Sequence, residues 1–116
     1  MKIFLIILFM FSFFNKSVSS NPGVAYDYKF NNIDGGQIKL SEYKNKVIVI
    51  VNVASRCGYT PQYEALQSLY DNYKEKNLVV IGVPTNNFKQ EPGSNEQIKD
   101  FCETNFGITF PITEKI

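Results

Sequence analysis

The residue best suited to covalent chemistry in this sequence is Cys57, within Asn52-Val-Ala-Ser-Arg-Cys57-Gly-Tyr-Thr-Pro61. The preceding run, Val47-Ile-Val-Ile-Val51, is continuously β-branched and reads as a strand buried on both faces, as in a parallel sheet. After Pro61 the apolar spacing becomes helical, so Cys57 falls in a strand-to-helix turn. There the N–H groups and positive dipole end of the next helix would favour a thiolate and lower the thiol pKa. A second cysteine, Cys102, lies 45 residues further on. The chain contains no histidine. That excludes a Cys-His nucleophile pair, an HExxH zinc site and Cys/His zinc fingers, and no metal or organic cofactor is expected. The charged residue next to Cys57 in sequence is Arg56, either turned inward beside the thiol or facing water. Glu91 is placed to orient its loop, and nothing marks it as an acid or base.

These residues need positioning elements, and the pattern supplies an α/β arrangement. Tyr26-Asp-Tyr-Lys-Phe30 alternates like a strand, Asp34-Gly35-Gly36 is a hairpin turn, and Ile38-Lys-Leu40 is the returning strand. Ser41 is expected to cap a helical turn over Glu42 to Asn45, before a central strand from Lys46 to Ala54. Thr60 and Pro61 read as the cap and first position of a helix with Tyr63, Leu66, Leu69, Tyr70 and Tyr73 on its core face, ended by Asn77. Leu78-Val-Val-Ile-Gly-Val83 is a second buried strand, completing a parallel βαβ unit. A polar loop from Pro84 to Gly93 leads to Ser94-Asn-Glu-Gln97, a capping box. The helix it opens turns Ile98, Phe101 and Cys102 inward and stops at Gly107. A further strand is expected after Phe110-Pro111.

The first twenty residues have a different composition. Lys2 precedes an apolar run from Ile3 to Phe14 broken only by Ser12, and Val18-Ser19-Ser20 are suited to cleavage before Asn21. This is the layout of a secretory signal peptide over residues 1–20, and the run is short for a membrane span. The expected mature part, 21–116, is then secreted or periplasmic with no stable membrane association. Cleavage removes Lys2 and Lys16 and no acid, leaving ten basic against eleven acidic residues. A near-neutral domain without a basic stripe argues against nucleic acid as a partner.

Three stretches taken in order resemble the glutathione peroxidase family: Asn52-Val-Ala-Ser-Arg-Cys57-Gly-Tyr-Thr, then Pro84-Thr-Asn-Asn-Phe-Lys-Gln90-Glu-Pro-Gly-Ser-Asn95-Glu, then Phe101-Cys102 with Phe110-Pro111. The resemblance runs from about Ala25 to the end of the chain. It implies a thioredoxin-like fold, here with an N-terminal β-hairpin and lacking the C-terminal part of the sheet. It also implies reduction of hydrogen peroxide or organic hydroperoxides. Cys57 matches the peroxidatic position, which holds selenocysteine in some members, and Gln90 matches the glutamine of the catalytic tetrad. Cys102 stands where many thiol-type members carry the resolving cysteine. Its own sequence environment leaves two other readings open, a small core residue or one half of a structural disulfide. Thr85 and Asn87 replace the family's usual Cys and Gln, and the loop is one residue shorter between Phe88 and Gln90. The tetrad's Trp and Asn belong to a Trp-Asn-Phe motif beyond Pro111, and this sequence has no tryptophan, so it reads as a partial sequence.

The chemistry that this family match implies is attack of the Cys57 thiolate on a peroxide oxygen, giving a sulfenic acid, with donors placed for the leaving oxygen. Cys102 would then form a disulfide with Cys57, which a thioredoxin-like protein, or glutathione, would reduce. Two other classes remain: a thiol-disulfide exchange protein on the same fold, although position +3 from Cys57 is Thr60 and not cysteine, and a non-catalytic remnant.

Overall fold

The computed structural model describes residues 23–116; the segment expected to be a signal peptide, residues 1–20, lies outside them. Asp34, Gly35 and Gly36 turn the chain back on itself, with Gly35 at φ 96° and Gly36 at φ 75°, left-handed values that glycine adopts without strain. The turn joins β1 (Lys29–Asn31) to β2 (Gln37–Lys39), an antiparallel pair in which Phe30 faces Ile38. The hairpin is shorter than its sequence suggests. Residues Ala25–Asp27 form a 3-10 turn instead of strand, closed by the Asp27 and Tyr28 N–H groups on the carbonyls of Val24 and Ala25. Ser41 caps nothing: the following 3-10 turn is Leu40–Tyr43, and Leu40 plugs into the core.

Strand β3 (Val47–Val53) runs parallel to β4 (Leu78–Pro84), with Val47 beside Leu78 and Val53 beside Pro84. Helix α1 (Gln62–Tyr73) makes the crossover. Strand β4 is buried along nearly its whole length, and its alternation divides the core. Val80 faces Tyr63 of α1 and Ile98 and Cys102 of α2 (Asn95–Phe106). Val79, Ile81 and Val83 face Ile38 and Leu40 from the hairpin side. Strand β3 departs from expectation. Val47 and Ile50 are 61% and 49% exposed, because among the described residues β3 pairs with β4 alone.

The capping box of α2 forms as read: the Ser94 hydroxyl accepts the Gln97 N–H while the Gln97 side chain accepts the Ser94 N–H. Gly107 closes the helix at φ 58°. Beyond it, Ile112 and Thr113 make single bridges, parallel to Gly82 of β4 and antiparallel to Asn32 after β1. The expected strand after Pro111 is thus present as a two-residue link between hairpin and parallel pair. Gly82 permits this link, since a Cβ there would stand 3.2 Å from the Phe110 ring.

Candidate active site

Strand β3 ends at Val53 and delivers Ala54 to Pro61 as a tight turn before α1. The helix begins one residue later than its sequence suggests, with Pro61 in the cap position and no side-chain cap. Thr60 is used elsewhere. Its hydroxyl accepts the Cys57 N–H at 2.9 Å and donates to the Ala54 carbonyl at 2.9 Å, drawing the turn closed around the cysteine. The Thr60 N–H returns to the Cys57 carbonyl at 3.0 Å. With its backbone held at both ends, the half-buried Cys57 presents its Sγ to the Tyr59 N–H at 3.4 Å. A backbone donor in the turn itself therefore faces the sulfur. It is the type of group that accommodates a thiolate's charge. Arg56 is exposed, and its contribution is through the backbone: its N–H donates to the Gln90 carbonyl at 3.0 Å.

The second loop carries Gln90. Asn86 to Lys89 form a turn closed by the Lys89 N–H on the Asn86 carbonyl at 2.8 Å, with Lys89 in the left-handed region at φ 56°. Although the loop is one residue short of the family pattern, it brings Gln90 to the wall of the cavity that Cys57 also lines. That cavity has a volume of about 260 Å³. Val51, Val53, Tyr59, Leu66 and Phe88 supply its apolar walls, and Thr85 stands among them, buried, its hydroxyl accepting the Asn87 N–H at 3.3 Å.

The loops are joined by a buried carboxylate. Glu91 is 1% exposed, and its Oε2 accepts both the Ser55 N–H at 2.6 Å and the Ser55 hydroxyl at 2.9 Å. The sequence marks Glu91 only as a neighbour of Gln90; its burial and its partner 36 residues away emerge from the fold.

Cys102 is not brought into the cavity. It is fully buried on α2, within the cluster that holds Tyr63, Ile98 and Ile108, and both cysteines are free thiols, so no structural disulfide joins them. Burial pushes the Cys102 thiol up from its ordinary value, Glu91 and Glu103 push it the same way, and the Tyr63 hydroxyl opposes them. Tyr63 is itself pushed far up by burial, with Cys102 and Glu91 adding to the shift. Its buried hydroxyl lacks a well-formed hydrogen bond and lies against the Cys102 thiol, while its ring packs on Phe106 at 5.3 Å. Tyr63 thereby separates the cavity, which it lines, from Cys102. Among the described residues no group of three or more His, Cys, Asp or Glu side chains could hold a metal ion, and no helix is long and apolar enough to cross a membrane.

Fold and site together define a thioredoxin-like α/β domain with one accessible cysteine after its first parallel strand. The family model described as glutathione peroxidase matches residues 25–116, and the chain belongs to the glutathione peroxidase family. It is 52% identical over 92 residues to "Glutathione peroxidase-like peroxiredoxin 2" of Saccharomyces cerevisiae, covering 78% of this chain and 57% of that protein. It is 47% identical over 92 residues to "Hydroperoxy fatty acid reductase gpx1" of Synechocystis, covering 78% and 54%. Among solved structures it resembles T. cruzi GPX1, with 38% identity and a TM-score of 0.57 over 79% of this chain and 54% of that one. A thioredoxin-family thiol:disulfide interchange protein from Chlorobium tepidum shares the fold at 12% identity, with a TM-score of 0.63 over 75% and 56%. The chain spans a little over half the length of the curated relatives it matches.

Proposed function

We propose that this protein is a thiol-dependent peroxidase in which Cys57 attacks a hydroperoxide. The observation that carries the reading is the half-buried Cys57 sulfur, with the Tyr59 N–H upon it, on the same cavity wall system as Gln90. The Cys57 thiolate attacks one peroxide oxygen, the O–O bond breaks, and sulfur takes that oxygen as a sulfenic acid. The other oxygen leaves as an alkoxide or hydroxide and gains a proton. The Gln90 amide serves as a donor to the sulfur or the leaving oxygen. The apolar walls fit an organic hydroperoxide as well as hydrogen peroxide, in keeping with the name of the Synechocystis relative.

Cys102 then supplies the second thiol: its sulfur displaces hydroxide from the Cys57 sulfenic acid, and the products are a disulfide and water. A buried residue in the middle of α2 reaches Cys57 only if the helix opens locally, so this step is gated by unfolding of α2. A thioredoxin-like dithiol protein returns both cysteines to thiols, with glutathione the alternative reductant. Export through residues 1–20 belongs to the same proposal, and N-terminal sequencing of secreted material should begin at Asn21.

The test is to mix reduced protein with one equivalent of peroxide and titrate thiols. Two thiols should be lost per peroxide, and Cys57→Ser should abolish the loss. Cys102→Ser should accumulate a dimedone-reactive sulfenic acid on Cys57. Peroxide consumption by Cys57→Ser at the wild-type rate removes the mechanism. Unchanged turnover in Cys102→Ser, with no trapped sulfenic acid, removes the resolving role alone.

A further inference from the structure

Burying a carboxylate is costly unless its oxygens are satisfied, and Glu91 is buried without a cation on its carboxylate among the described residues. The Lys115 ammonium, which reaches this loop, goes to main-chain oxygens, those of Glu91 at 3.5 Å and of Gly93. Every polar part of Glu91's main chain is also engaged: its N–H donates to the Asn86 side-chain oxygen at 3.1 Å, and its carbonyl takes Lys115. The side chain is the part that leaves the loop, and it reaches Ser55, two residues before Cys57. The Arg56 N–H on the Gln90 carbonyl runs alongside. Two adjacent residues of one loop, Ser55 and Arg56, are therefore bonded to two adjacent residues of the other, Glu91 and Gln90. The next residue along the first loop is the cysteine.

We propose that Glu91 is a positioning residue of the active site, its buried carboxylate clamped on the Ser55 amide and hydroxyl so that Gln90 is set against Cys57. This rests on the peroxidase reading above. The clamp touches no reacting atom. It fixes the separation of the two loops, and with it where the Gln90 amide stands when charge develops on the leaving oxygen. A donor is effective only when it is already in place, and losing one costs roughly 100-fold to 1000-fold in rate at well-studied sites. Displacement of the donor should approach the lower end of that range, about 100-fold.

The experiment compares two reactions of the same sulfur in the full chain. One is the second-order rate of Cys57 oxidation by peroxide. The other is alkylation by iodoacetamide, which needs the thiolate but no donor for a leaving oxygen. Glu91→Ala should slow the peroxide reaction by about 10- to 100-fold while alkylation stays within about twofold. Glu91→Gln, whose amide oxygen can accept both Ser55 donors, should restore most of the peroxide rate. Ser55→Ala keeps the amide donor and loses the hydroxyl, and should give an intermediate loss of about threefold to tenfold. It keeps the proposal testable if Glu91→Ala does not fold. Equal losses in both reactions assign Glu91 to general stability and overturn the proposal. So does a wild-type peroxide rate in Glu91→Ala or, where that variant does not fold, in Ser55→Ala. If wild-type Cys57 itself fails to react with peroxide, the peroxidase reading falls and takes the clamp with it.

Discussion

Replacing Thr60 by valine is the sharpest perturbation of the cysteine turn, because valine keeps the shape and removes only the hydroxyl. That hydroxyl holds two main-chain groups, the Cys57 N–H and the Ala54 carbonyl, each at 2.9 Å. A typical hydrogen bond contributes about 1 kcal/mol net, and a buried group left unpaired costs about 1–3 kcal/mol. Both orphaned groups here are only half-buried beside the cavity, so water replaces part of what is lost. The expected destabilisation is about 1–2 kcal/mol, or a fall in Tm of roughly 5–15 °C for a domain of this size. Urea unfolding should show a lower midpoint with an unchanged slope. The peroxide reaction of Cys57 should slow by about tenfold, since the N–H that Thr60 fixes belongs to the reacting residue. Thr60→Ser keeps the hydroxyl and should stay near wild type in both measurements. If Thr60→Val matches wild type in midpoint and rate, the turn is held by other contacts and the role given to Thr60 is wrong.

The remaining predictions concern the core and the cap of α2. Cys102 and Tyr63 hold their protons more tightly folded than unfolded, so the unfolded chain releases them first and stability falls as pH rises above about 9, the thiol's ordinary value. Urea midpoints of reduced protein between pH 8 and 10.5 should drop, and Cys102→Ala should flatten that drop; equal slopes would sink the assignment. Gly82→Ala should cost about 1–3 kcal/mol by pushing on the Phe110 ring at 3.2 Å, measured as a lower melting temperature. Ser94→Ala should cost about 1 kcal/mol by opening the α2 capping box, measured the same way.

Features encoded over a few residues were legible in the sequence, and those assembled across the fold were not. The capping box and the Gly35–Gly36 turn are set by local residue chemistry and form as read, and the parallel β3–β4 pair follows from two β-branched runs flanking one helix. Tyr26 and Tyr28 alternate like strand residues, yet both are exposed, since the hairpin pairs only from Lys29 onward. The two β-branched runs look alike, but β4 has a neighbour on each edge while β3 has one among the described residues, so only β4 is covered along nearly its whole length. Cys57 and Gln90 were visible as candidates and line one cavity. The Ser55–Glu91 clamp spans 36 residues, and no periodicity encodes a contact of that range.

The two thiols illustrate why residue type alone could not assign their order of reaction. Cys57 sits in a turn whose polar groups are spent on holding it, with one N–H on its sulfur and a cavity before it. Cys102 has the same chemistry but lies in the apolar core, screened from that cavity by Tyr63 and pushed toward the neutral thiol by burial and by Glu91 and Glu103. In the proposed cycle this asymmetry fixes the order of reaction, because a second exposed thiolate would compete with the first for peroxide. Access alone therefore makes Cys57 the first to react in the proposed cycle, and Cys102 waits on an opening of α2. Stabilising α2 without touching either cysteine should then slow disulfide formation while leaving sulfenic acid formation unchanged, because only the second step requires the helix to open.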